Sequence, residues 1–506
     1  MPVVSLDGEF VELPLVDLLS RADQLSALSC DTPGEGVALL DYLLAICFAA
    51  GFCPRPEEDW KAWLAEGHGF GEVAEWLAHE PADDWDLFHP ERPLGQNALL
   101  APYLDEHGTG PAQLVVERAG DYNQFLDHHH LEHPAPLPAN VAFRAMLCQH
   151  VYGLSGRARL PGSLLGPKLT NLSTGRLLGR IRVVVQGRTL GDTLRLNLYP
   201  AATAGRFNHS WTTGSVQRRG FTTKPPGRRT SGPADLHSYL GRSVLLRPVP
   251  PEQGGGPVMV DRVLVGAGEL LELDPARDLE DAVPSKKVLN GHAKPLWPSP
   301  TRALWRDAHA LYSAAKDGTT GLFGRLRHLE FPEEGGGPPC TLWAVGLIAN
   351  KTLAVAWTEG SFPYAPSQGE ALCEASRRGS EIVDRLAGGL ERAAYVAWKI
   401  TYPNPKPTDR PAQQARFDAR REFWPEAEGH FDVLLDEVAR GYDGPPALLR
   451  YATQLRYQAE EFLNHRLDSL PDNGPGMRAR GQAKVCFHKH VTSAEAPAEL
   501  RGETHR

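Results

Sequence analysis

The sequence predicts an α+β chain: a large mixed α/β N-terminal domain, residues 1–366, followed by a C-terminal antiparallel four-helix bundle, residues 367–506. Three observations carry this. Past SFPYAPSQGE the apolar residues fall at helical spacing, with Ile382, Leu386, Leu390, Ala393 and Ala397 on one face. Breaks at YPNPKPTDRP, GYDGPP and PDNGPG divide that region into four helices with short connections. Upstream, period-2 alternation and short β-branched runs are interleaved with helical segments. With 42% hydrophobic and 23% charged residues over 506 positions, the composition excludes a disordered, collagenous or disulfide-framework protein.

Each element has a local reason. VVSLDGEFVEL reads as an opening hairpin around Asp7-Gly8. Gly36–Ala50 carries helical apolar spacing, and Trp60–Leu64, Val73–Leu77 and Asn140–Tyr152 give further helices. Strands are expected at Arg182–Gln186, Thr193–Tyr199, Ser243–Arg247 and Val258–Val265. TLWAVGLIANKTLAVAWTEG, 341–360, reads as two strands joined near Asn350-Lys351. Later helices cover about Ala412–Arg440, Ala447–Leu470 and Arg478–Val491, and Pro425 should kink the first of these.

The start MPVVSLDGEF has acid where a secretory leader has positive charge. The most apolar window, Val37–Cys53, contains Asp41 and is short for a membrane span, so it reads as a buried core helix. The seven cysteines form no CxxC and are odd in number, which suits reduced thiols in a cytoplasmic protein.

Charge is segregated. Residues 1–132 hold 25 acids and 5 Lys/Arg, whereas residues 133–234 hold 15 Lys/Arg and a single acid, Asp192. A long run with a single carboxylate is what a polyanion-binding surface needs, since each phosphate contact wants Lys or Arg and a nearby carboxylate repels. The alternative is a basic face docked on the acidic N-terminal part of the same chain. Arg157, Arg159, Arg218, Arg219, Lys224, Arg228 and Arg229 are the candidates for contact with a nucleic-acid backbone.

Four features could carry chemistry. DHHHLEH, 127–133, gathers Asp127, His128, His129, His130, Glu132 and His133, all possible metal ligands, but without the helical pairing of HExxH; a polar loop fits it as well. The Gly/hydroxyl loop 161–179 offers main-chain N–H groups with Lys168, Thr170 and Asn171, or is a plain connection. Asn350, Lys351 and Thr352 put a polar, cationic tip on an apolar ribbon, which is either an ordinary turn or a wedge able to open a base step. Lys286 and Lys287 suit phosphate or minor-groove contact, or are simply solvated. No GxSxG, Walker A, HExxH or GxGxxG opening a βαβ unit is present, so no catalytic residue or cofactor is assigned.

Several pieces in order resemble CasA, the large subunit of the type I-E CRISPR surveillance complex Cascade (the Cse1 family). They are LDGEFVELPLVDLLSRADQL, FHPERPLGQ (88–96), YNQF (122–125), GRTLGDTLRLNLYP (187–200), LHSYLGRSVLLRP (236–248), LWPSP (296–300) and the C-terminal helices. The resemblance spans nearly the whole chain. It implies a non-catalytic subunit, acting in antiviral defence beside the other Cascade subunits and the CRISPR guide RNA. Such subunits recognise a protospacer-adjacent motif in double-stranded target DNA from the minor groove, start strand separation and help recruit a helicase-nuclease. Carried residue by residue, Phe125, with Asn123 in the same YNQF, matches the part near the guide 5′ handle. The glycine loop falls at 162–175, although Lys168-Leu-Thr-Asn171 stands where the family has contiguous glycines. The motif-contacting lysine falls at Lys286 or Lys287, and the wedge at Asn350-Lys351-Thr352, without the family's glutamine. No cysteine lies between 148 and 340, so no zinc ribbon is expected there. The alternative function is a metal-dependent nucleic-acid hydrolase using the 127–133 cluster.

Overall fold

The structure is a computed structural model. It describes all residues except 57–58, 119–134, 159–170, 212–226, 251–255, 274–280, 290–291, 319–320, 328, 330–339, 405, 407 and 503–506, and of 285–289 and 292–294 it describes the backbone alone. Asn123, Phe125, the 127–133 cluster, Arg159, Lys168, Thr170, Arg218, Arg219 and Lys224 therefore lie outside the described residues.

Helix Pro33–Ala49 starts on strong local signals. Thr32 Oγ1 accepts from the Glu35 N–H at 3.2 Å, and Pro33 occupies the first helical position. Every residue from Gly34 to Phe48 is buried, which is where a helix apolar on all sides must go. Helices Ala139–Tyr152 and Pro233–His237 pack against it.

The strands are short. β1 (Pro2–Ser5) and β2 (Phe10–Glu12) form the expected opening hairpin, turned at Gly8 with φ 83°, and β3 (Leu25–Leu28) pairs on the other side of β1. There follow β4 (Leu137–Pro138), β5 (Gly156–Arg157), β6 (Asn171–Leu172), β7 (Arg182–Gln186), β8 (Arg242–Val249) and β9 (Met259–Ala267). The last are β10 (Pro284–Leu289), β11 (His292–Pro295), β12 (Cys340–Asn350) and β13 (Leu353–Tyr364). They group as β2-β1-β3, β4-β9-β8, β13-β12-β7 and the pairs β5-β6 and β10-β11.

One expected strand is a helix. Residues Leu190–Asn197 are α-helical, not the N-terminal part of a strand over Thr193–Tyr199. The cause is local: Thr189 and Asp192 form a reciprocal capping box. Leu190 and Leu194 then share a buried face. The segment still meets β7, but through a side chain. Asn197 Nδ2 donates to Val185 O at 2.7 Å, and its Oδ1 accepts from Val185 N–H at 3.1 Å.

Contacts divide the described residues into two units. One draws on Met1–Leu304, Thr319–Leu329 and Cys340–Ser361; the other draws on Trp305–Gly318 and Phe362–Arg506. The second unit is helical. Its 33-residue helix Gly369–Thr401 touches Arg420–Ala439, Gly444–Leu467 and Gly474–Val491 in turn, so the expected four-helix arrangement is present. Ile382, Leu386, Leu390, Ala393 and Ala397 are its buried face. The expected Ala412–Arg440 helix is broken, because Asp418 accepts from the Arg420 N–H at 3.0 Å and restarts the helix there. Helix Ala308–Asp317, upstream in sequence, also packs on Gly369–Thr401.

Candidate nucleic-acid interface

The β12–β13 ribbon is held at its base and free at its tip. Thr341 to Val345 pair with Gln186 to Arg182 of β7, and β12 runs five residues further, roughly 17 Å at ordinary strand rise. Two indoles anchor the paired part. Trp343 lies against Gly36 and donates to Glu359 at 3.0 Å. Trp357 lies against Gly34, meets Tyr152 edge-on at 4.8 Å and donates to Glu117. Beyond them Ala349, Asn350, Lys351 and Thr352 are exposed. Lys351 has φ 58°, and no other described non-glycine residue has positive φ. That conformation costs an L-residue about 1–2 kcal/mol.

A second polar element meets this tip. β5 and β6 pair antiparallel, with Arg157 opposite Asn171 and Gly156 opposite Leu172. A Cβ on Gly156 would lie 3.9 Å from Thr352 Cγ2. The structure thus brings Arg157 and Asn171, both exposed, beside Asn350, Lys351 and Thr352, although 178 and more positions of sequence separate the two elements. Lys286 and Lys287 lie on β10 where the register with β11 shifts, between Ser285 and Val288. A bulge there leaves both out of the regular ladder.

The acid-poor run is partly internal. Arg144 lies 3.7 Å from both Asp31 and Glu35; Arg176 and Arg182 reach the fully buried Asp41, Arg182 at 2.9 Å; Arg195 reaches Asp23. All four acids belong to the acidic first 132 residues, so these arginines serve the fold and not a free surface. Burial alone would raise the Asp41 carboxyl, but Arg182 and Arg176 outweigh it and hold it well below the usual range. His237 Nδ1 lies 3.2 Å from Asp41 Oδ1, and burial pushes this imidazole below its ordinary value.

Arg228 requires a correction. Its Nη1 and Nη2 donate to Asp235 at 2.7 and 2.8 Å, and Nη2 donates also to Glu269 at 2.8 Å. Both carboxylates are buried, so the expected DNA-backbone contact is an intramolecular clamp. Its neighbour Arg229 differs: its side chain is 83% exposed and only 4.0 Å from Glu272 at closest.

Sequence reasoning missed Gly156 and Arg242. Arg242 opens β8 and is buried, and its guanidinium donates to Leu154 O and Ser173 O, on the two legs of the chain leading into β5 and out of β6. It sits inside LHSYLGRSVLLRP, yet no spacing marks it. Among the described residues no His/Cys/Asp/Glu group is arranged to hold a metal ion, and no helix is long and apolar enough to cross a membrane.

The family model described as CRISPR-associated protein Cse1 matches residues 1–462. A CRISPR-associated protein CasA/Cse1 of Thermus thermophilus is 29% identical over 197 residues, which are 38% of this chain and 37% of that protein. The match thus spans little more than a third of that relative's length. The fold is similar to the crystal structure of CasA from Thermus thermophilus, with TM-score 0.72 and 19% identity over 97% of each chain. It is also similar to Cse1 from Acidimicrobium ferrooxidans, with TM-score 0.72 and 19% identity over 100% of this chain and 97% of that one. A chain of a structure titled CRISPR RNA-guided surveillance complex matches with TM-score 0.68 and 21% identity, over 96% of this chain and 98% of its own. With the family model running through nine-tenths of its length, the chain belongs to the CRISPR-associated Cse1 family.

Proposed function

We propose that this chain is a non-catalytic subunit of a CRISPR RNA-guided surveillance complex. In this reading it recognises a protospacer-adjacent motif in double-stranded DNA from the minor groove, starts strand separation and helps recruit a helicase-nuclease. Its partners are the guide RNA and the other subunits, and it works in the cytoplasm. Residues 1–366 do the recognition and residues 367–506 form a docking bundle. Family membership supports the assembly, as does the likeness to a chain of a surveillance complex.

One observation carries the mechanism: a rigidly based, exposed cationic tip, Asn350 to Thr352, abutting the β5–β6 pair that bears Arg157 and Asn171. The minor groove separates A·T from G·C only coarsely, so a reader there tolerates related motifs. Exchanging a DNA duplex for an RNA–DNA duplex is nearly balanced in energy, while parting one base step costs a few kcal/mol. A wedge and a few groove contacts are therefore enough to control opening, and no bond need be broken by the subunit. Lys286 or Lys287, Lys168 and Thr170 complete the motif-binding set; Asn123 and Phe125 serve the guide handle. Arg159, Arg218, Arg219, Lys224 and Arg229 supply attraction to the backbone.

The test replaces Asn350 and Lys351 by alanine together in the assembled complex. Guide-RNA assembly should be unchanged, while permanganate reactivity of the displaced strand at a matched target should drop. Unaltered reactivity would refute the wedge.

A further inference from the structure

We infer that Arg242 is a positioning residue for motif recognition: its guanidinium ties the two legs of the chain that present Arg157 and Asn171 to the hairpin tip. This rests on the functional reading above and adds to it a residue that touches no nucleic acid.

The legs run side by side from the core outward. Leu177 N–H donates to Val151 O at 3.1 Å, and Gly175 N–H donates to Gly153 O at 2.7 Å. Further out, β5 and β6 pair at Gly156–Leu172 and Arg157–Asn171. Between these two sets of contacts lie the carbonyls of Leu154 and Ser173, one on each leg. Arg242 fills the gap. Nη2 donates to Leu154 O at 2.7 Å, and Nη1 donates to Ser173 O at 2.7 Å and to Gly241 O at 2.9 Å.

Residue chemistry explains the choice. Two facing acceptors on separate strands need a planar group with donors on both sides, which guanidinium has and ammonium lacks. None of these partners is a carboxylate, so the buried charge is held by carbonyl dipoles. Burial lowers its pKa to about 10, which leaves it protonated near neutrality. The space is made by a missing side chain, because a Cβ on Gly153 would collide with Arg242 Nη2. The clamp is itself fixed. Arg242 N–H donates to His150 Nδ1 at 3.1 Å, while His150 Nε2 lies 3.0 Å from Gly95 O, and β8 pairs with β9 in unbroken register from Arg242–Ala267 to Arg247–Arg262. Arg242 therefore links the β8–β9 ladder to the outer pair, whose β6 also touches β9 and whose Gly156 adjoins Thr352.

The experiment uses the full chain, alone and in its complex, as wild type, Arg242→Gln and Arg242→Lys. Amide hydrogen exchange of whichever of the pairs Gly156–Leu172 and Arg157–Asn171 is the hydrogen-bonded one is read beside that of β8. In Arg242→Gln the outer amides should exchange about tenfold faster, the change expected for one lost buried hydrogen bond. The affinity ratio between motif-bearing and motif-scrambled duplexes should fall by a similar factor, while guide-RNA assembly persists. Arg242→Lys should restore part of both.

Unchanged exchange in Arg242→Gln overturns the inference. So does faster exchange with an undiminished motif ratio, and in both cases the proposed function stands. A wild-type complex that shows no motif preference sinks the proposed function itself. Should Arg242→Gln fail to fold, wild type still decides: outer amides exchanging at open-chain rates would mean that no clamp holds them.

Discussion

The indole of Trp357 lies across Gly34 so closely that no side chain fits between them. Gly34 sits in the first turn of the buried Pro33–Ala49 helix, and Trp357 is on β13, so this contact seats the ribbon on the core. Gly34→Ala should therefore lift the ribbon. Overpacking costs about 1–3 kcal/mol, against a gain of at most ~1 kcal/mol in helix propensity. The expected result is a net loss in urea denaturation, a shifted tryptophan emission and weaker duplex opening with the tip sequence intact.

Lys351 combines strain with charge. Its φ of 58° suits glycine, so Lys351→Gly should leave stability unchanged or raise it by up to about 1 kcal/mol. The same change removes the cation from the tip and should reduce strand separation. Thermal melting and permanganate reactivity moving in opposite directions would mark the residue as one kept for function. A fall in both would show that the tip conformation depends on the lysine side chain.

Arg228 and Arg229 are adjacent but should behave differently. Arg228→Ala leaves Asp235 and Glu269 buried without their cation, a loss of about 3 kcal/mol or more. Arg229→Glu should keep the fold; combined with Arg218→Glu and Arg219→Glu it should flatten the dependence of DNA affinity on salt. Denaturation curves separate the first effect, and binding across a salt series separates the second.

The Asp41 cluster predicts sensitivity to acid. His237, beside Asp41, Arg176 and Arg182, has its pKa lowered by burial. A base whose folded pKa is depressed contributes stability that is full above its unfolded value, about 6.5, and is lost as pH falls through the folded one. Asp41, also depressed, adds a loss that starts below about 4. Melting temperature should accordingly fall between pH 7 and pH 5 in wild type, and fall less in His237→Gln. Glu35, raised by burial, acts in the opposite sense and is common to both proteins. Parallel profiles for the two would remove His237 from the account.

Local pattern was enough for much of the fold. Helical spacing marked Gly36–Ala50 and Asn140–Tyr152, found as Pro33–Ala49 and Ala139–Tyr152, and the bundle helices apart from the break before Arg420, because a period near 3.6 has one simple burial solution. The 341–360 segment, read as two strands joined near Asn350-Lys351, is the β12–β13 ribbon, and its turn falls one residue later, at Lys351-Thr352. The failure at Thr193–Tyr199 was also local. Alternating leucines fit either period there, and the Thr189–Asp192 capping box, visible in the sequence, settled it for the helix.

By itself, then, the sequence determined most of the helices and the β12–β13 ribbon, the position of the polar tip and the imbalance of charge. Only the tertiary structure decided which arginines face outward, since Asp41, which pairs with Arg176 and Arg182, and Asp23, which pairs with Arg195, lie more than a hundred positions upstream in the chain. It also decided that Thr352 meets Gly156 and that Arg242 spans Leu154 and Ser173. Periodicity records how each segment buries its own apolar face, whereas ion pairs and clamps between distant segments exist only once those faces have packed.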